Sequence, residues 1–351
     1  MTGMRACVLF LLMVCGVGCS GCSPLYVLRG AVAQGKILLS REPVERVAHS
    51  PRTSDAERAK LELLLDVRRF AADDLGMDVG DAYSTFARVP PGALVWVVSA
   101  ARQTKLESRT WWFPIVGHVT YKGFFEKSDA EALAARLEAE GWDTWVRPSG
   151  AFSTLGWFDD PILSNWLTRD DIALADLLIH ELLHRSFYLP GQTDFNESFA
   201  SWVGHAGAVA YFEARDGADS GTAEDARARM ARALAASARF EEAVAELRAL
   251  YARAAREDWP RERILKERSS IFALLGPPER INNAVILARW AYRRDLRGLA
   301  CAAREVGGSL RAQISAIEET ASGRDDPFAA FSCPPEAEAE PGPGPRPGPR
   351  N

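Results

Sequence analysis

Two of the chain's five histidines, His180 and His184, stand four residues apart with Glu181 between them, in the apolar run from Leu174 to Leu183. Leu174, Leu177, Leu178, Leu182 and Leu183 predict a buried apolar core helix that ends at Pro190-Gly191. Residues four apart share a helix face, so both imidazoles point the same way with a carboxylate beside them. That is metal-ligand spacing, with an acid placed to take a proton from bound water. With 5 histidines and at most 47 acids among 351 residues, chance supplies this pattern only about 0.01 times, which decides against accident.

Ahead of this helix the period changes. Ser54 to Leu75 is helical, but Ala93–Ser99, Thr110–Val116 and Ala151–Phe158 are short β-branched or aromatic runs that read as strands. Ser128–Glu140 is a helix ending at Gly141, and Thr144–Arg147 is a further strand. From Asp170 onward the signals are helical, including Ala223–Arg256. Strands first and helices after predict an α+β fold: a small mixed β-sheet followed by a mainly helical half. The domain spans 22–333, strand-rich over 22–165 and helical over 166–333, where the metal site falls.

The two ends lie outside that domain. Residues 1–21 combine a basic start, a short apolar run and small residues, the pattern of an export signal. Ser20-Gly21-Cys22 resembles a bacterial lipobox, though Cys19 stands where the usual leucine would be; this would make Cys22 the lipidated first residue of the mature chain, with Cys19 the alternative site and a plain cleaved signal the alternative reading. The expected location is therefore the bacterial cell envelope, facing the periplasm and held to a membrane by lipid. Residues 334–351, rich in Pro, Gly and Glu, read as a disordered tail. A net charge of −5 without a basic block excludes nucleic acid as the obvious partner. Four of the six cysteines fall in the first 22 residues, so Cys301 and Cys333 alone remain for the body and disulfides are not expected to hold the fold.

Twelve residues after His184 comes Asn196-Glu197-Ser198-Phe199-Ala200, near the start of a helix capped at Thr193 or Asp194. The two motifs together resemble the gluzincin metallopeptidases: in the aminopeptidase N family, His-Glu-x-x-His is followed on the next helix by Asn-Glu-x-Phe-Ala. The resemblance implies a gluzincin-like zinc peptidase with one Zn2+ on His180, His184 and Glu197, and Glu181 as general base. The connection here is shorter than is usual in that class and needs a tight turn, for which Pro190-Gly191-Gln192-Thr193 is suited. More closely, residues from about Cys22 to Ala316 are similar to a family of bacterial lipoproteins classed as aminopeptidases, through the segment Ser153 to Pro161 and Asn282-Asn283.

That resemblance implies a peptide substrate cleaved at its N-terminus. Asp159 or Asp160, on the strand segment with Gly156, would hold the free amine, capping of the turn before Pro161 being the other use for these acids. Tyr292 would donate to the oxyanion, ahead of Tyr211 and Tyr251, with a buried core tyrosine the alternative. Asp176, one turn before His180, and Asn196, beside Glu197, are the candidates to hold the ligands from behind, though a helix-capping or surface use for Asp176 is equally open. His205 lies about 12 Å along its helix from Glu197, so it reads as structural. His49 and His118 carry no spacing argument. An endopeptidase, another zinc hydrolase with the same ligands, and a non-catalytic envelope lipoprotein with structural zinc remain as rivals; Glu181 argues against the last, since a structural site needs no base.

Overall fold

The computed structural model describes residues 35, 37–113, 117–149, 160–277, 280–331 and 333. The expected export signal 1–21, Cys22, the strand expected over 151–158, Gly156, Asp159 and the tail expected over 334–351 lie outside them.

The order of elements is β1 (Glu42–Pro43), α1 (Val44–Ala48), α2 (Asp55–Asp73), β2 (Thr85–Ala87), β3 (Val95–Arg102), β4 (Trp111–Phe113), β5 (Gly117–Val119), β6 (Tyr121–Phe124), α3 (Lys127–Ala139), β7 (Trp142–Ser149) and β8 (Ile162–Leu163). A short 3-10 turn, Ser164–Thr168, leads into α4 (Asp171–Ser186), α5 (Thr193–Asp216), α6 (Gly221–Arg256), α7 (Arg261–Ala273), α8 (Asn283–Trp290), α9 (Leu296–Val306) and α10 (Leu310–Ala321). The fold is mixed α and β and mostly helical. Polar caps set many of the helix starts. Ser54, Ser220, Asn282 and Ser309 each accept a backbone N–H in the first turn of α2, α6, α8 and α10.

Among the described residues the strands form three small sheets where the sequence suggested one. β3 is flanked by β6 and β7, both antiparallel. β2 lies between β1 and, in parallel, β8, while β4 and β5 form a separate pair. Alternation marks a strand but not its partner, and the partner of β2 lies far along the chain. Pairing of β2 with β8 brings the turn before β2 beside the entrance to α4.

One core joins α1 and α2 to α4, α5, α9 and α10. A second lies among α6, α7 and α8, and a third between α3 and one face of β3 and β7. The other face of that sheet is locked to α7 and α8 by a buried ion pair, Arg268 to Asp143 at 2.7 and 2.9 Å. Asn283 adds its N–H to Asp143 and its amide to the Arg102 carbonyl, and Asn282 bonds the Thr144 carbonyl. Buried charges are tolerated when paired and hydrogen-bonded in this way.

The cysteine reading needs correction. Cys301 in α9 and Cys333 form a disulfide across 32 residues. Cys333 stands at the edge of the Pro-rich tail, yet the chain folds back over α9 and presents its sulfur there. Counting cysteines along the sequence cannot see that return.

Candidate metal centre

α4 begins where Asp170 accepts the Ala173 N–H at 2.8 Å. Leu174, Ala175, Leu178, Ile179, Leu182 and Leu183 are buried, while His180, Glu181 and His184 are only partly covered. Crossing this helix is α5, which carries Glu197 in its first turns.

The short connection between the two helices is a tight turn. The Gln192 N–H returns to the Leu189 carbonyl at 3.1 Å, with Pro190 second and Gly191 third in the turn. Gly191 sits at φ 79°, which a residue without Cβ adopts freely. Asn196 then clamps the turn: its amide donates to the Leu189 carbonyl and its oxygen accepts the Leu189 N–H, both at 2.9 Å. The role expected of Asn196 is corrected accordingly, since its hydrogen bonds go to the loop rather than to a ligand imidazole.

Two glycines let the helices touch. A Cβ on Gly204 would lie 2.4 Å from Asp176 Oδ1, 2.8 Å from the Asp176 backbone oxygen and 3.3 Å from His180 Cβ; one on Gly207 would lie 2.9 Å from two Ile179 carbons. Larger residues would push α5 away from the histidines.

As a result, His180 Nε2 and His184 Nε2 stand 3.2 Å apart, and Glu197 Oε2 lies 3.5 and 3.6 Å from them. Metal–ligand bonds of about 2.0–2.2 Å imply a tetrahedral edge of about 3.3–3.6 Å, so the three donors already stand at the separations one ion requires. Their side chains are 12 to 23% exposed, which keeps the cluster open to solvent. Burial pulls His180 toward neutrality, but Glu197, Glu181 and Asp176 outweigh it and raise its pKa. Burial also works against ionising Glu197, yet the two imidazoles bring its pKa down to about 2.

Glu181 stands against the phenol of Tyr83, whose pKa is raised by burial, then by Glu181 and Asp160. Tyr83 occupies the left-handed region at φ 57°, rare for a bulky residue, and donates its N–H to the Asp160 carbonyl at 2.9 Å. Asp160 therefore lies beside the partner of Glu181. Tyr292, after α8, stacks on His180 with ring centroids 6.2 Å apart at 20°. Partial burial and the carboxylates of Glu197 and Glu181 raise its pKa, with Arg147 opposing. Tyr211 and Tyr251 bond instead to Asp66 and Asn283, both at 2.9 Å.

Asp176 is also corrected: its carboxylate bonds His205 Nδ1 at 2.7 Å, not a ligand imidazole, although its charge acts on His180. This ties α4 to α5 and accounts for His205 structurally. Several residues escaped the sequence reading. Tyr121 and Arg147, on the two strands that flank β3, act electrostatically on Tyr292, as Glu197 does. Ser198 and Tyr83 give no local signal, whereas Gly204 and Gly207, three apart and so on neighbouring positions of one helix face, are visible in the sequence.

Fold and site together define a class: a mostly helical α+β protein in which, among the described residues, two consecutive helices present three donors that could hold a metal ion, with the Glu181 carboxylate and its Tyr83 partner alongside. Residues 25–326 match the family model described as "Putative aminopeptidase", and the chain belongs to that family. Neither the curated proteins nor the solved structures contain a match.

Proposed function

We propose that the protein is a zinc-dependent peptidase that removes N-terminal residues from peptides. The observation that carries this reading is the triad His180, His184 and Glu197 at tetrahedral separations with Glu181 beside it. Two imidazoles and one carboxylate are the donor set of catalytic zinc, and three protein ligands leave a position for water. Zinc held there supplies a Lewis acid that lowers the pKa of water toward about 7 and polarises a carbonyl. Glu181 takes the water's proton and passes it to the leaving amine. Tyr292 donates its phenol proton in a hydrogen bond to the developing oxyanion. Asp160, beside the Tyr83 that Glu181 also contacts, provides a negative charge for a substrate's free amine, and Asp159 and Gly156 are assigned to the same proposed subsite.

The reading extends to location: export to a bacterial envelope and a lipid anchor at Cys22. A disulfide between Cys301 and Cys333 supports it, because such bonds persist in oxidising compartments. Among the described residues no helix is long and apolar enough to cross a membrane.

A panel of fluorogenic aminoacyl substrates tests the reaction. Turnover is expected with zinc, lost with chelator and lost in Glu181→Gln. Cleavage that is indifferent to blocking the substrate's N-terminus refutes the aminopeptidase reading and leaves an endopeptidase. Metabolic palmitate labelling that survives Cys22→Ser refutes the anchor.

A further inference from the structure

Tyr292 is 42% exposed, yet the turn that presents it is fastened along its backbone. Ser198 Oγ donates to the Ala291 carbonyl at 2.8 Å and accepts the Arg294 N–H at 3.0 Å. From the opposite side, Ser237 of α6 bonds the Arg293 carbonyl at 2.7 Å, and Glu241 accepts the Asp295 N–H at 2.7 Å. Four backbone groups flanking one exposed ring are thus held by side chains of two other helices. Asp295 lies in the left-handed region at φ 53°, a conformation that a non-glycine residue keeps only where its surroundings impose it. Trp290 and Leu296, buried on either side, anchor the ends of the turn.

A mobile loop needs no such fastening. A rigid turn with an aromatic group at its vertex is the arrangement of a group whose placement matters, and here the vertex lies over the metal ligand His180. Ser198 is fully buried and follows Glu197 directly, so the ligand and the clasp ride on the same rigid helix. The motif Asn196-Glu197-Ser198 then divides into three tasks: Asn196 clamps the turn before the helix, Glu197 faces the metal position, and Ser198 grips the segment that carries the phenol.

We infer that Ser198 is a positioning residue for Tyr292, registering the phenol against the metal site through its paired hydrogen bonds to Ala291 and Arg294. This rests on the peptidase reading and on Tyr292 as the oxyanion donor. An oxyanion donor must stand about 2.7–3.1 Å from the oxyanion, and a residue on a loosened turn does not hold that distance. Alanine at 198 removes the Oγ that grips the turn while leaving Glu197 in place.

The test combines kinetics with a metal-free readout. With zinc, Tyr292→Phe is expected to lower kcat about a hundredfold. Ser198→Ala is expected to lower kcat about tenfold, with KM within about twofold and zinc content unchanged. The double variant Ser198→Ala/Tyr292→Phe is expected to match Tyr292→Phe alone, because the serine acts through the tyrosine. In the metal-free protein, 3-fluorotyrosine at 292 is expected to give one narrow 19F line that shifts or broadens in Ser198→Ala. Should Ser198→Ala fail to fold, Ser237→Ala loosens the same turn from the other side and carries the same expectations. An undiminished kcat, a loss that multiplies with that of Tyr292→Phe, or an unchanged 19F line overturns the role of Ser198. Tyr292→Phe with wild-type turnover overturns the phenol's role, and this inference with it. A wild-type protein without chelator-sensitive turnover overturns the peptidase reading itself, before any variant is compared.

Discussion

Gly204→Ala tests whether the metal site depends on the close crossing of α4 and α5. The new Cβ would meet the Asp176 carboxylate at 2.4 Å and the Asp176 backbone oxygen at 2.8 Å. The carboxylate can swing aside, at the cost of its hydrogen bond to His205. The backbone oxygen cannot, so restoring an ordinary contact of 3.4 Å moves the helices apart by about 0.6 Å locally. Overpacking of this kind costs about 1–3 kcal/mol, while alanine's better helix propensity returns about 1 kcal/mol, leaving a net loss of about 0–2 kcal/mol. Glu197 is two turns away on the same helix, and metal–ligand distances tolerate only about 0.2 Å, so metal affinity is expected to fall about tenfold or more. Urea unfolding of the metal-free protein measures the first effect and competition with a chromophoric chelator the second. Gly221→Ala, at the first position of α6 with nothing within 4 Å, is the control for adding a Cβ to a helix without a clash. Metal binding as tight as wild type in Gly204→Ala, with an unfolding midpoint equal or higher, refutes the packing argument.

Other features of the fold carry their own expected outcomes. Reducing Cys301–Cys333 opens a loop of 32 residues, which on chain-entropy grounds costs about 3–4 kcal/mol; Cys301→Ser/Cys333→Ser should unfold at correspondingly lower urea, and an unchanged midpoint contradicts this. Burial, reinforced by Glu241, raises Asp295 to a pKa of about 6, above the unfolded value of about 4. The native state therefore holds more protons than the unfolded state between about pH 4 and 6, so stability falls as pH rises through that window, and Asp295→Asn is expected to flatten the slope in urea titrations. Asn196→Ala leaves the Leu189 N–H and carbonyl without their clamp, a loss of about 1–3 kcal/mol, and is expected to weaken metal binding while Asn196→Asp, which keeps the acceptor, loses less.

What the chain reveals unaided depends on how local the cause is. His180, Glu181 and His184 are legible because helical periodicity alone brings them to one side, and the caps Ser54 and Asp170 act within three residues. Glu197 is legible through its motif, and the turn that delivers it through Pro190 and Gly191. Asp176 shows the limit: one turn before His180 on the same helix, it looks placed to support that imidazole, but its partner His205 arrives from another helix. Tyr83 and Ser198 act on groups about a hundred residues away, so nothing near them announces their work. Cys333 was misjudged for the same reason, because the return of the chain over α9 is a tertiary event.

Whether His180, His184 and Glu197 hold zinc is decided by metal stoichiometry after purification and exhaustive dialysis. About one zinc per chain is expected in the wild type and in Glu181→Gln, which keeps all three ligands, and almost none in His180→Ala or Glu197→Ala. Full zinc in Glu197→Ala would contradict the assignment, because Glu197 would then stand beside the metal without holding it.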